Sequence, residues 1–247
     1  KTALSHTRLS IQDLFRFGSQ PMISHDKNIR MVFNGEIYNF QELRKDLESK
    51  GIRFQGNSDS EVLVNLYALY GVKSFNMLNG IFSAGFYNEN EKSLVVVRDP
   101  LGIKPLYYNI HGSTFTFASE IKALVRSGWV QAEINPIGAL HHLSYLWSPG
   151  STTILKGVSK LLPGHYMLIK HGEEPQLKEY TDLRFEEGIP NYNLHDYVNT
   201  LSQKLSAAVK RQLVADVPLG AFLSGGLDSS SIAAFAQKSL GEHRRLQ

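Results

Sequence analysis

The stretch Ser224-Gly225-Gly226-Leu227-Asp228-Ser229-Ser230 constrains this 247-residue chain more than any other. An apolar run, Val217 to Leu223, precedes it and reads as a short strand. Ile232 to Leu240 follows it and reads as a helix. Before the run, Leu194, Val198, Leu201, Leu205, Val209 and Leu213 step by three or four, the period of a long amphipathic helix. Helix, strand, glycine-rich loop and helix in that order open an α/β nucleotide-binding domain. Two glycines let backbone approach a ligand closely. The N–H groups and positive dipole end of the next helix face the loop. Ser224, Ser229 and Ser230 add hydroxyl donors, so the loop is an anion cradle. An acidic residue inside it, Asp228, calls for a cation. Mg²⁺ suits the place, because it takes one or two carboxylates together with phosphate oxygens. The loop lacks the lysine of a Walker P-loop. A plain strand-to-helix turn would explain two glycines, but not the serines and the carboxylate around them.

The residues before this domain have another texture. Ile29 to Asn34 reads as a buried strand. Ile81 to Tyr87 and Ser93 to Arg98 pair across Asn88-Glu89-Asn90-Glu91. Leu106 to Ile110 pairs with Thr114 to Ala118, and Tyr166 to Lys170 with Gln176 to Tyr180. Helices are expected over Asn39 to Lys50, with Asn39 and Glu42 as a capping box, and from a Ser58 cap to Gly71. A third begins at Asn135-Pro136. Paired strands with few helices between them argue for antiparallel sheets with helices on their faces. Residues 181–193 are polar, contain Gly188 and Pro190, and read as a linker. The domains expected are therefore 1–180 and 194–247. With 42% hydrophobic residues, each can bury a core.

Charge and cysteine usage narrow the class further. Lys+Arg of 26 against Asp+Glu of 23 leaves a net charge of +3, and no basic face suggests nucleic acid. No apolar run of about 18 residues marks a membrane span. The absence of cysteine excludes disulfides, thiolate metal sites and a cysteine nucleophile within these residues, and fits a reducing, cytoplasmic setting. Both ends read as cut edges.

Four short stretches in the first part gain meaning together: Thr7-Arg8-Leu9-Ser10-Ile11, Asn34-Gly35-Glu36-Ile37-Tyr38-Asn39, Ser58-Asp59-Ser60-Glu61, and Arg98-Asp99-Pro100-Leu101-Gly102-Ile103-Lys104-Pro105-Leu106-Tyr107. Singly they read as a surface charge, a tight turn, a helix first turn and an ion pair. In this order, followed by a loop of the pattern SGGxDS, they resemble the glutaminase domain of class II glutamine amidotransferases joined to a PP-loop ATP pyrophosphatase. The nearest family is the glutamine-hydrolysing asparagine synthetases. Ala118 to Leu124, Leu162 to His165 and Asp216 to Gly220 share the resemblance.

The resemblance implies an α+β N-terminal-nucleophile hydrolase fold, with stacked antiparallel sheets between helices, followed by the start of an α/β PP-loop domain. It also implies a reaction. An N-terminal cysteine, with its own α-amine as base, attacks the side-chain amide of glutamine. Asn34 and the Gly35 N–H hold the oxyanion. Arg8 holds the glutamine α-carboxylate and Asp59 the α-ammonium. Leu9, Ser10, Ile11, Gln12 and Glu36 line the pocket. Ammonia passes to the second site, where ATP and aspartate give an adenylate. Phe222, Leu223, Ser224, Gly225, Gly226, Asp228, Ser229 and Ser230 form the implied ATP site, with Mg²⁺ on Asp228. Arg98, Asp99 and Lys104 read as structural. The resemblance leaves room for a homodimer.

The family's cysteine and most of its synthetase domain do not fall within these residues. The activity is therefore expected of an intact parent and not of this stretch alone. Two alternatives stay open: a β-lactam-synthetase-like enzyme or other PP-loop amidotransferase with a different acceptor, and a non-catalytic regulatory protein with a degenerate amidotransferase domain.

Overall fold

The computed structural model describes residues 1–9, 11, 13, 16–181, 193–241 and 246–247. By its internal contacts the chain divides into two units. The first comprises Lys1–Arg8, Ser19–Gln55 and Asp59–Leu183; the second comprises Leu9–Gly18, Gly56–Ser58 and Arg184–Gln247.

The first unit is built on two antiparallel sheets. Strands β1 (Met22–Ile23), β2 (Ile29–Ile37), β3 (Gly80–Asn88), β4 (Ser93–Arg98), β8 (His165–Lys170) and β9 (Gln176–Glu179) lie side by side in that order. Strands β5 (Tyr107–His111), β6 (Thr114–Ala118) and β7 (Val158–Lys160) form the second sheet, in the order β6-β5-β7. The expected hairpins β3–β4, β5–β6 and β8–β9 all form.

The alternation of side chains along β4 sorts the layers. Val95 and Val97 join Phe33, Ile37, Phe82 and Phe86 in a core covered by α1 (Phe40–Ser49) and α2 (Asp59–Tyr70). Val96, from the opposite face, packs with Leu106, Leu161 and Met167 against Tyr108, Phe115 and Phe117 of the second sheet. The sheets meet closely here: a Cβ on Gly85 would stand 2.5 Å from Cζ of Phe117. Beyond the second sheet, Leu124 of α3 (Ile121–Arg126) packs with Val130, Val158 and Tyr107. Helix, sheet, sheet and helix thus stack in layers. Helix α2 runs through the interior, with every residue from Asp59 to Tyr67 buried, which explains its lack of a polar face.

One local expectation in the first unit is corrected. Asn39 precedes α1 but makes no capping bond; its Nδ2 donates to the carbonyl of Met77 and its Oδ1 accepts the N–H of Asn79. Its side chain ties the helix start to the entry of β3 instead. Asn135, by contrast, caps α4 (Pro136–Tyr145) as expected, accepting from the N–H of Ile137.

In the second unit, Asn193 accepts the N–H of Asp196 and caps α5 (Leu194–Arg211), which packs on α6 (Leu227–Leu240); Val209 and Ala236 are their buried residues. Val217 to Leu223 is not a strand. A strand exists by pairing, and among the described residues this segment bonds only to Gln247, which accepts from Ala221 and donates to Leu219. The expected linker, residues 181–193, falls for its greater part outside the described residues.

Candidate functional site

Asn34 and Gly35 do not form a turn. They sit inside β2, paired with Ser83 and Phe82 of β3. Alternate residues of an antiparallel strand turn their N–H groups to opposite sides. The N–H of Tyr38 donates to Asn79, towards β3, so Ile37, Gly35, Phe33, Met31 and Ile29 present theirs to the outer edge.

That edge is accounted for almost residue by residue. The N–H of Ile29 donates to Ser24 Oγ at 3.0 Å. Met31 pairs with Met22 of β1. The N–H of Phe33 donates to Gln20 Oε1 at 2.6 Å, and Gln20 Nε2 donates to the carbonyl of Phe33 at 3.0 Å. The N–H of Ile37 donates to Asp59 Oδ2 at 2.9 Å. The Gly35 N–H lies between these last two donors. Among the described residues no protein group accepts it. The position demands glycine: with φ of 155°, a Cβ would lie 2.1 Å from the carbonyl oxygen of Ile81.

Polar groups gather around this edge. Asn34 Nδ2 reaches Ser119 Oγ at 3.2 Å. Asp59 is 5% exposed, and its Oδ1 accepts from Ser60 Oγ at 3.2 Å. Burial pushes its pKa up against the hydrogen bonds of Ile37 and Ser60. Burial, and then the Asp59 carboxylate, hold Glu36 above the usual carboxylate range, while Lys104 pulls the other way. Burial, with Glu36 and Asp99, pushes the Tyr38 hydroxyl up to about 12. Burial lowers the pKa of the half-buried His6 and the nearby charge of Arg8 lowers it further, while the Phe33 backbone pulls the other way.

Arg98 and Asp99 are structural, as expected, and the geometry says how. Asp99 is 1% exposed and accepts from the N–H groups of Phe82, Leu101, Ile103 and Lys104. Its own N–H donates to the carbonyl of Phe82 at 2.8 Å. Arg98 donates to the carbonyls of Lys104, Leu161 and Gly102. Two adjacent side chains thereby fix the loop 99–104 and the backbone of Phe82 opposite Gly35.

The remaining expected residues fall elsewhere or outside the description. Leu9 is exposed, and Ile11 accepts the Asp216 N–H; both belong to the second unit. Ser10 and Gln12 lie outside the described residues. In the second unit Gly225 has φ of 79°, a left-handed conformation that favours glycine. Gly226 then stands at the N-cap of α6. Ser224 Oγ and Ser229 Oγ are 3.0 Å apart, and Ser229 also donates to the carbonyl of Gly226. Asp228 stands exposed in the first turn, with Ser230 next to the loop and the exposed Phe222 and Leu223 before it. Hydroxyls, a helix N-terminus and one carboxylate are a donor set that fits a phosphate with its Mg²⁺. Sequence reasoning missed Gln20 and gave no role to Ser119 and Tyr38, although both lie in stretches that carry the resemblance. They carry no spacing signal, since each acts across the fold.

Layered antiparallel sheets between helices, with an open glycine donor on a sheet edge, define an N-terminal-nucleophile hydrolase domain. Residues 1–181 match the family described as glutamine amidotransferase domain, and the chain belongs to it. Residues 200–246 match the family described as asparagine synthase. Asparagine synthetase [glutamine-hydrolyzing] 3 of Bacillus subtilis is 36% identical over 235 residues, covering 94% of this chain and 38% of that protein. Amidase chry2 of Gibberella zeae is 34% identical over 246 residues, covering 98% of this chain and 36% of that protein. The chain thus spans little more than a third of the length of these relatives. Among solved structures, that of the allosteric regulatory enzyme of purine biosynthesis superposes with a TM-score of 0.53 at 22% identity, covering 94% of this chain and 49% of that one, a likeness of fold. Among the described residues, no helix is long and apolar enough to cross a membrane.

Proposed function

We propose that the protein to which these residues belong hydrolyses glutamine in the first domain and spends the ammonia on ATP-dependent amidation, with aspartate as acceptor and asparagine as product. The observation that carries the reading is the Gly35 N–H, which no protein group accepts among the described residues, on an otherwise satisfied strand edge beside Asn34. Such a preorganised donor is what a tetrahedral oxyanion requires. In this reading a cysteine of the longer protein attacks the glutamine side-chain carbonyl, and the Asn34 amide and Gly35 N–H take up the developing negative charge. Collapse of the intermediate releases ammonia and leaves an acyl-enzyme, which water cleaves to glutamate. Arg8 takes the α-carboxylate. Asp59 takes the α-ammonium, its carboxylate steadied by Ile37 and Ser60. Glu36, beside Asp59, lines the pocket.

The proposed domains are residues 1–180 and 194–247. The second holds ATP, with Ser224 to Ser230 around the phosphates and Phe222 and Leu223 nearby. Asp228 would hold Mg²⁺, which neutralises phosphate charge. Support comes from the match to the asparagine synthase family and from the hydroxyl and helix-terminus donors of that loop. The test is asparagine formation by the full-length protein from aspartate and ATP, with glutamine or ammonia as nitrogen source. Product from both supports the reading whole. Glutamate release without asparagine moves the acceptor away from aspartate. A second reading, an amidase, is supported by the similarity to Amidase chry2. It predicts amide cleavage with no dependence on ATP.

A further inference from the structure

Gln20 stands where β1 stops short. In the register that pairs Met22 with Met31 and Ile23 with Arg30, the residue opposite Phe33 is Gln20. A main-chain ladder continued in that register would next consume the Gly35 N–H, because alternate residues of β2 point to the same edge. The ladder does not continue. The side-chain amide of Gln20 makes both bonds to Phe33 instead, accepting its N–H at 2.6 Å and donating to its carbonyl at 3.0 Å. A side-chain amide matches a peptide group in donors and acceptors but ends at its own nitrogen, so it imitates one rung of a sheet and no more. On the other side of the same strand pair, Asp99 does the equivalent for Phe82, the partner of Gly35: its carboxylate accepts the Phe82 N–H at 3.3 Å and its backbone N–H donates to the Phe82 carbonyl at 2.8 Å.

We propose that Gln20 is a positioning residue for the oxyanion donors: it terminates the β1–β2 ladder one rung before Gly35, holding Asn34 and Gly35 in place while leaving the Gly35 N–H open to substrate. The proposal rests on the glutaminase reading above. An oxyanion donor acts only in the transition state, so a displaced one lowers kcat more than it raises KM. Gln20→Leu in the full-length protein removes both bonds. Gln20→Glu keeps the acceptor for Phe33 N–H and loses the donor.

The experiment measures kcat and KM for glutamine hydrolysis, together with ammonia-driven product formation, in wild type and both variants. Expected is a fall in glutaminase kcat of about 10- to 100-fold for Gln20→Leu, below the roughly 10²–10³-fold loss of a whole oxyanion donor. Gln20→Glu should fall between Gln20→Leu and wild type. KM should move less than about threefold, and ammonia-driven synthesis should be unchanged. If Gln20→Leu does not fold, the kcat of Gln20→Glu decides alone. Unchanged kcat, a change confined to KM, or a proportional loss of both activities overturns the positioning role. A wild-type protein that releases no glutamate overturns the glutaminase reading itself and the proposal with it.

Discussion

Asp59 Oδ2 accepts the N–H of Ile37 at 2.9 Å, which ties the first residue of a buried helix to the strand edge two residues beyond Gly35. One carboxylate fixes this edge and, in the proposed reading, also offers its charge to the substrate ammonium. Asp59→Asn keeps an acceptor for Ile37 but has no charge. It should raise the KM for glutamine about tenfold or more, the loss of one charge-assisted contact, with a fold close to wild type. Asp59→Leu leaves the buried Ile37 N–H unsatisfied and should destabilise by about 1–3 kcal/mol. Glutamine kinetics and urea unfolding separate the two.

The same residue makes a pH prediction for stability. Burial raises the pKa of Asp59 in the folded protein above its ordinary value of 3.8. The folded state then binds more protons than the unfolded state, so this group's contribution to stability falls as pH rises from about 3.8 through the raised value. Asp59→Asn should flatten that part of the stability profile. An identical slope in both proteins would contradict the assigned direction.

Gly35→Ala should abolish glutamine hydrolysis. A Cβ there would meet the Ile81 carbonyl at 2.1 Å, and only separation of β2 from β3 relieves it. Strain of this kind costs of order 1–3 kcal/mol. The expected readout is loss of glutaminase activity with ATP–pyrophosphate exchange retained. Near-normal hydrolysis would show that Gly35 is not the donor.

Much of this was readable from residues in order. The hairpins followed from short alternating runs separated by polar turns, and the Asn135-Pro136 helix start from its own local chemistry. The Asn39-Glu42 pairing misled, because a side chain can satisfy backbone 38 or 40 residues away as well as three away. Val217 to Leu223 misled for another reason: apolar composition suits a strand, but pairing makes one. Asn34-Gly35 was legible as a site only by resemblance. Its spacing favoured a turn, and only the register with β3 shows the N–H on the open edge. Gln20 and Asp99 were illegible as supports of that edge, since their bonds span 13 and 17 residues.

Lys104 should set the acid limb of glutamine binding. Burial and Asp59 raise the pKa of Glu36, and Lys104 lowers it. Lys104→Met removes the lowering influence, so Glu36 should take up its proton at higher pH. The rise in KM on acidification should then begin at a higher pH than in the wild type. An unshifted profile would separate Lys104 from the pocket.

Asp228→Asn should nearly abolish ATP–pyrophosphate exchange while leaving glutamine hydrolysis intact. The exposed carboxylate in the first turn of α6 is otherwise a poor companion for the phosphates that the loop's donors suit. Unchanged exchange would remove Asp228 from the Mg²⁺ site.

The central claim is that the β2 edge serves an oxyanion, and glutamine hydrolysis by the full-length protein without ATP tests it most directly. Glutamate and ammonia should appear in equal amounts, and Gly35→Ala should stop both. A full-length protein that exchanges pyrophosphate into ATP but releases no glutamate would contradict the account.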